Sequence, residues 1–205
     1  MTPHVTRDDR PEFGREGSSA EPSPLPAPRS VFSGRGMFTV ERPQDTAGLR
    51  LDWQLDQPPK QKPYAWGYGI HVCLQAEAHW SGPPDRERAL VTNLDPAIFT
   101  EGWPDGWTCM PECYWNADVR DKGRSVPNMI YRAQQVIGDK WGTVPVVPII
   151  GCYDASSENP GVGVRLTVPD YLPDLEWAMR TYPCVVGWGM WRVETLDDAD
   201  REALK

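Results

Sequence analysis

Three acidic residues lie where apolar, strand-like runs end, and they are the groups in this sequence best suited to do chemistry. Glu112, Asp154 and Glu194 each close a run rich in β-branched or aromatic residues. Glycoside hydrolysis needs two carboxyl groups, one that protonates the leaving oxygen and one that acts as base or nucleophile. The three acids are therefore candidate catalytic residues for cleavage of a glycosidic bond.

The neighbours of the three acids indicate different roles. Glu112 lies inside an apolar run, and partial burial would suit it to donating a proton because burial disfavours a charged carboxylate. Asp154 follows Tyr153, whose hydroxyl could orient it. Glu194 lies two residues after Arg192, which could hold it ionised. An acid at a strand end also commonly caps a loop or pairs with an arginine, so both interpretations stay open for each residue.

Aromatic residues gather near the same strand ends. The chain has 10 tryptophans in 205 residues, and carbohydrate sites use aromatic rings as platforms for the apolar faces of sugars while polar groups fix the hydroxyls. Aromatics that simply fill a small core are the competing explanation. The expected substrate-binding residues are Tyr114, Trp115, Asn116, Tyr153, Trp188, Trp191 and Arg192.

The elements that must position these groups alternate between strands and helices. Strands are predicted from β-branched and aromatic content, and helices from apolar residues at helical spacing. The predicted strands are 68–75, 107–114, 144–153 and 185–193, with possible shorter ones at 36–40 and 49–55. The predicted helical segments are 89–94, a helix capped by Ser125, 169–182 and 197–204. This alternation predicts parallel pairing, with functional groups at the carboxyl ends of the strands.

The predicted fold class is α/β, a barrel-like (β/α) arrangement around a parallel sheet. No glycine-rich phosphate loop follows the first clear strand, which disfavours a dinucleotide-binding fold. A complete (β/α) barrel takes about 250 residues, so we expect an incomplete or irregular N-terminal half. Residues 1–30 contain the run PSPLPAP and are expected to form a disordered, proline-rich tail. The domain is then 31–205.

Composition excludes several classes of partner. Lys plus Arg is 21 and Asp plus Glu is 29, a net charge of −8, whereas nucleic-acid binders usually carry a basic face. No apolar run approaches the length that spans a bilayer, and we expect no signal peptide. The five cysteines lie mostly inside strand-like runs and are interpreted as small buried residues. We therefore expect no nucleic acid, membrane, metal or cofactor.

Three short motifs, in this order, carry a family resemblance: MPECYWN, then VVPIIGCYD, then VVGWGMWRVETLDDAD, which follows YLPDL. Together they resemble the C-terminal half of the glycoside-hydrolase-like TIM barrels of tail-associated (minor tail) proteins in phages of actinobacteria. In that family one strand ends in P-E-x-Y, the next in G-x-Y, and the last closes on E-T or E-D. The matching residues span 108–205 and are Pro111, Glu112, Tyr114, Gly151, Tyr153, Trp188, Trp191, Glu194 and Thr195.

The resemblance implies a location and two classes of function. A protein of this kind belongs to the virion tail, or to the host cytoplasm during assembly, and contacts other tail proteins. The first class is a glycosidase-like enzyme that hydrolyses or binds host cell-wall or surface polysaccharide. The second is a non-catalytic structural or glycan-binding virion protein. The distances among the carboxyl groups of Glu112, Asp154 and Glu194 would discriminate the two, because hydrolysis requires a close pair.

Overall fold

The computed structural model describes residues 26–30, 32–39, 48–56, 70–75, 88–94, 96, 99, 102–120, 122–191 and 196–205. Most of the predicted tail lies outside these residues. Residues 26–30 have no helix or strand, and the Ser30 hydroxyl lies 3.3 Å from the hydroxyl of Thr108. Two of the predicted site residues, Arg192 and Glu194, also lie outside the described residues.

Seven described strands form one sheet. In chain order they are β1 (Gly34–Thr39), β2 (Trp53–Asp56), β3 (Ile70–Gln75), β4 (Arg88–Thr92), β5 (Trp107–Cys113), β6 (Ile149–Gly151) and β7 (Gly187–Trp191). Their order across the sheet is β2-β1-β7-β6-β5-β4-β3. All neighbouring pairs are parallel except β3 and β4. The α/β class with a parallel sheet is therefore confirmed.

The helices follow the predicted apolar spacing. Helix α1 (Val126–Ile137) has Pro127 in its first turn, where no backbone N–H is needed. Its buried face includes Met129, Ile130 and Ala133. Helix α2 (Val168–Thr181) begins with a capping box of Thr167 and Asp170 and contains Pro173. A short third helix is α3 (Asp198–Ala203).

Two predictions about the N-terminal half were wrong. Residues 89–94 were expected to form a helical turn, but the sequence RALVT forms strand β4, which pairs with strands on both sides. The strand predicted at 68–75 forms as β3, yet it runs antiparallel to β4 and lies at the end of the sheet. Antiparallel neighbours can be joined without the crossover helix that parallel strands need, and residues 76–87, between the two strands, lie outside the described residues.

The strand predicted at 144–153 is shorter than expected because prolines interrupt it. Pro145 and Pro148 cannot donate to a strand ladder, so the regular strand β6 covers only Ile149–Gly151. Their carbonyls still accept hydrogen bonds, from Cys109 N at 2.8 Å and from Gly189 N at 2.8 Å. The segment thus keeps its place between β5 and β7.

The two faces of the sheet have separate cores. One cluster joins helices α1 and α2 to Cys109, Cys113 and Ile150, and we call this side of the sheet the helix-side face. The other cluster contains no helical residue, and we call its side the inner face. Its members are Phe32, Trp53, Ala89, Val91, Met110, Val147 and Ile149, and Tyr114, Val186 and Trp191 pack against it.

Candidate functional site

A row of residues crosses the inner face from β2 to β5. The strand registers pair Trp53 with Gly36, Gly36 with Gly189, Gly189 with Ile149, and Ile149 with Glu112. The Trp53 indole lies against the bare backbone of both glycines. A Cβ atom on Gly36 would overlap the ring, and one on Gly189 would lie 2.6 Å from Cη2 of Trp53 and 2.9 Å from Cδ1 of Ile149. The two glycines therefore make room for one tryptophan.

Glu112 ends this row on the inner face. Side chains alternate along a strand, and Met110 belongs to the inner cluster while Cys109 and Cys113 belong to the helix-side cluster. Glu112 therefore shares the face of Met110. The residue is only 6% exposed, which makes it a buried carboxyl group near the carboxyl end of a parallel strand. Of the two predicted acids that the structure describes, Glu112 is buried in the sheet and Asp154 is exposed.

Three aromatic rings lie at the carboxyl edge of the inner face. Tyr114 and Trp191 are half-buried and pack against the inner cluster. Tyr153 meets Tyr114 edge-on, with ring centroids 6.4 Å apart and an interplanar angle of 81°. We call these three residues the aromatic rim. Since Tyr114 lies two residues after Glu112, the strand direction puts the aromatic rim next to the buried carboxyl group.

Asn116 forms a hydrogen bond with the backbone of Tyr153, a member of the aromatic rim. Its side chain is fully buried, and its amide nitrogen donates to the carbonyl of Tyr153 at 2.9 Å. Its amide oxygen lies 3.4 Å from the hydroxyl of Tyr171, a donor on α2. Burial raises the pKa of Tyr171 well above its usual value, so this hydroxyl keeps its proton. The predicted role of Asn116 in substrate binding stays a prediction, while its observed contacts join two strand ends.

Asp154 lies on the surface beyond β6. Its Oδ1 accepts a hydrogen bond from Ser156 N at 2.9 Å, within a local turn. The hydrogen bonds with Ser156 and, to a smaller extent, the charge of Arg165 lower the pKa of Asp154 from its usual value. Asp154 is therefore an ionised, solvent-exposed carboxylate, which suits the role of base or nucleophile better than that of acid.

Two predicted aromatic residues belong to the helix side. Trp188 is 4% exposed and is part of the helix-side cluster. Trp115 packs against the same cluster, and its indole N–H donates to Val119 O at 3.1 Å. Neither ring therefore joins Trp191 on the inner face. The difference follows from strand alternation, since Trp188 and Trp191 are three residues apart and face opposite sides of β7.

A buried carboxylate that the sequence prediction missed holds the C-terminus against α2. Asp200 is fully buried. Its carboxylate accepts from Val168 N at 2.6 Å and from Asp197 N at 3.1 Å, and it pairs with Arg165 at 2.8 Å. Asp197 caps α3 and contacts the same guanidinium at 3.0 Å. The spacing of Asp197 and Asp200 fits a capping box, a signal that was present in the sequence.

Metal-binding clusters and cysteine thiols are two further kinds of group that could do chemistry. Within that part of the chain, no group of three or more His, Cys, Asp or Glu side chains could hold a metal ion. The four cysteines with described side chains carry buried thiols: Cys109, Cys113, Cys152 and Cys184. Burial is the main cause that raises the pKa of each thiol. For these four, the prediction of small buried residues is confirmed.

Comparisons with known proteins add no relative. No family model, no curated protein and no solved structure matches this chain. No helix in the described ranges is both long and apolar enough to cross a membrane.

Proposed function

We propose that this chain is a (β/α)-barrel protein of an actinobacteriophage tail that engages host cell-wall or surface polysaccharide. The order of the strands supports the barrel. Across the sheet the order is β2-β1-β7-β6-β5-β4-β3. If its two end strands, β2 and β3, were neighbours, the strands would follow one another in chain order around a circle, as they do in a (β/α) barrel. The first strand, β1, already pairs with the last, β7. In such folds the carboxyl ends of the strands carry the active site.

The observation that carries the proposal is the buried carboxyl of Glu112 beside the aromatic rim. Tyr114, Tyr153 and Trp191 supply ring faces for the apolar sides of sugars. The net charge of −8 suits a neutral or basic glycan better than a polyanion. Polysaccharide would therefore lie across the carboxyl edge of β5, β6 and β7, and its hydroxyls would reach polar groups at the same edge.

The more specific form of the proposal is that the protein hydrolyses the polysaccharide, with Glu112 as the general acid. A carboxyl group in a mostly apolar layer is suited to act as general acid, as burial favours its neutral form. Its partner would be an ionised carboxylate, either Asp154, whose pKa is lowered, or Glu194. A non-catalytic tail protein that binds glycan through the same rim is the alternative, favoured by the exposed position of Asp154 in a local turn.

The tail location and the tail-protein partners rest on the order of the three sequence motifs alone. Their support is the set of matching residues between 108 and 205, of which Glu112, Tyr114 and Tyr153 lie together at one edge of the sheet. Under this proposal, the remaining surface of the domain would contact other tail proteins.

A titration tests the proposed glycan site. Purified actinobacterial cell-wall polysaccharide is titrated into the wild type, Trp191→Ala and Trp177→Ala. Trp191→Ala should raise the Kd by about tenfold through loss of ring stacking. Trp177→Ala removes a half-buried tryptophan on α2 that packs on the helix side and should leave the Kd unchanged. An absence of binding by the wild type, or equal losses in both variants, would contradict the proposed site.

A further inference from the structure

A single hydroxyl group on α2 connects two strand ends. The hydroxyl of Tyr171 accepts a hydrogen bond from Asn116 N at 3.3 Å. It also lies 3.4 Å from Oδ1 of Asn116 and 3.4 Å from the carbonyl of Gly151, two acceptors that share its one proton. Asn116 follows β5 and Gly151 ends β6, so one side chain from the helix layer contacts the exits of both strands.

The same contacts reach two rings of the aromatic rim. The amide of Asn116 donates to the carbonyl of Tyr153 at 2.9 Å. A Cβ atom on Gly151 would lie 2.6 Å from Oδ1 of Asn116, 3.0 Å from Cε1 of Tyr153 and 3.2 Å from Cδ1 of Tyr114. The three side chains thus pack against the bare backbone of Gly151, and a shift of Asn116 would move its neighbours.

We infer that Tyr171 is a positioning residue, whose buried hydroxyl sets the relative placement of Tyr114 and Tyr153. It does so by holding Asn116 and Gly151 together beneath the two rings. The consequence of this positioning for ligand binding rests on the proposed function. If the rim binds glycan, the spacing of the two rings fixes which sugar faces it accepts. Tyr171 itself is 2% exposed, which leaves too little surface for contact with a sugar, so it would act only through the rim.

Removal of this hydroxyl should disturb the rim more than the core. In Tyr171→Phe the ring still fills its place between α2 and the sheet, and the core loses little packing. However, the N–H of Asn116 loses its acceptor and the carbonyl of Gly151 loses a donor. Buried polar groups seldom stay without partners, so the turn of Trp115–Ala117 and the end of β6 should rearrange. Tyr114 and Tyr153 would follow them.

The test compares Tyr171→Phe with Tyr131→Phe, which removes the hydroxyl of an exposed tyrosine on α1. The ring resonances of ¹³C-labelled tyrosines are assigned to Tyr114 and Tyr153 by single Phe replacements and are followed without glycan. The Kd for purified actinobacterial cell-wall polysaccharide is then measured for each protein. Tyr171→Phe should shift both sets of ring resonances and raise the Kd by about tenfold. Tyr131→Phe should change neither.

The outcomes separate this inference from the proposed function. Unshifted ring resonances in a folded Tyr171→Phe overturn the inference. Shifted resonances with an unchanged Kd support the positioning of the rings and overturn its consequence for ligand binding. If the wild type binds no polysaccharide, the proposed function fails, while the positioning of the two rings still stands or falls on the resonances. Should Tyr171→Phe not fold, Asn116→Ser makes the test, because it removes the amide that links the Tyr171 hydroxyl to the carbonyl of Tyr153; unshifted ring resonances in that variant overturn the inference.

Discussion

Replacement of Glu112 by glutamine separates catalysis from binding. The amide keeps the shape of the side chain and its ability to form hydrogen bonds, but it cannot donate the proton that a leaving oxygen needs. Glu112 is 6% exposed and lies beside Ile149 in the row across the inner face. Because the substitution leaves no cavity, we expect the free energy of unfolding to change by about 1 kcal/mol or less.

The expected effect on rate is much larger than the effect on stability. General acid catalysis contributes about 10²- to 10⁴-fold, which corresponds to about 2.7–5.4 kcal/mol at about 1.36 kcal/mol per tenfold. The assay is the release of reducing ends from cell-wall polysaccharide, with the melting temperature measured on the same samples. Glu176→Gln is the matched control, since that carboxylate lies on α2 with 61% of its side chain exposed.

Three results would refute this reasoning. Full activity of Glu112→Gln would assign the acid to another residue. A lost melting transition together with lost activity would give Glu112 a structural role instead. An equal loss in Glu176→Gln would mean that the assay does not report on the inner face. If the wild type releases no reducing ends but binds polysaccharide, the non-catalytic alternative holds, and Glu112→Gln should then change the Kd only mildly.

Two further predictions concern stability. Gly189→Ala should lower the free energy of unfolding by about 1–3 kcal/mol, because its Cβ would clash with Trp53 and Ile149. A urea midpoint equal to that of the wild type would contradict the packing of Trp53 against Gly189. Asp200→Ala should cost about 3 kcal/mol or more, because it removes the acceptor of two backbone N–H groups and the buried one of the two carboxylates that pair with Arg165. Asp198→Ala, an exposed change in the same helix, should stay within about 0.5 kcal/mol. Equal urea midpoints for these two variants would remove the structural role of Asp200.

The elements that the sequence predicted best are those with a strong local pattern. The apolar spacing of Met129, Ile130 and Ala133 predicted α1 and its buried face, which the structure confirms. The run that contains Glu112 was likewise a clear strand and forms β5. Such patterns depend on the residues of one element alone, so they can be interpreted without knowing what packs against it.

The features that the sequence prediction missed depend on residues that are far apart in the chain. Strand β4 is short, and its type is decided by pairing with β3 and β5 rather than by its own five residues. The row from Trp53 to Glu112 could not be predicted, because it requires the registers of five strands. Trp188 is a different case: its odd separation from Trp191 already put the two rings on opposite faces of one strand, and the sequence prediction did not use that signal.

The central claim is that polysaccharide binds at the aromatic rim beside Glu112, and a crystal structure with a bound cell-wall oligosaccharide tests it most directly. We predict a sugar ring against Trp191 or Tyr114 and a glycosidic oxygen within hydrogen-bond distance of the Glu112 carboxyl. If the protein is a hydrolase, the carboxyl of Asp154 or Glu194 should lie about 5–5.5 Å or about 6.5–9.5 Å from that of Glu112. Oligosaccharide bound on the helix side, away from Tyr114, Tyr153 and Trp191, would contradict the account.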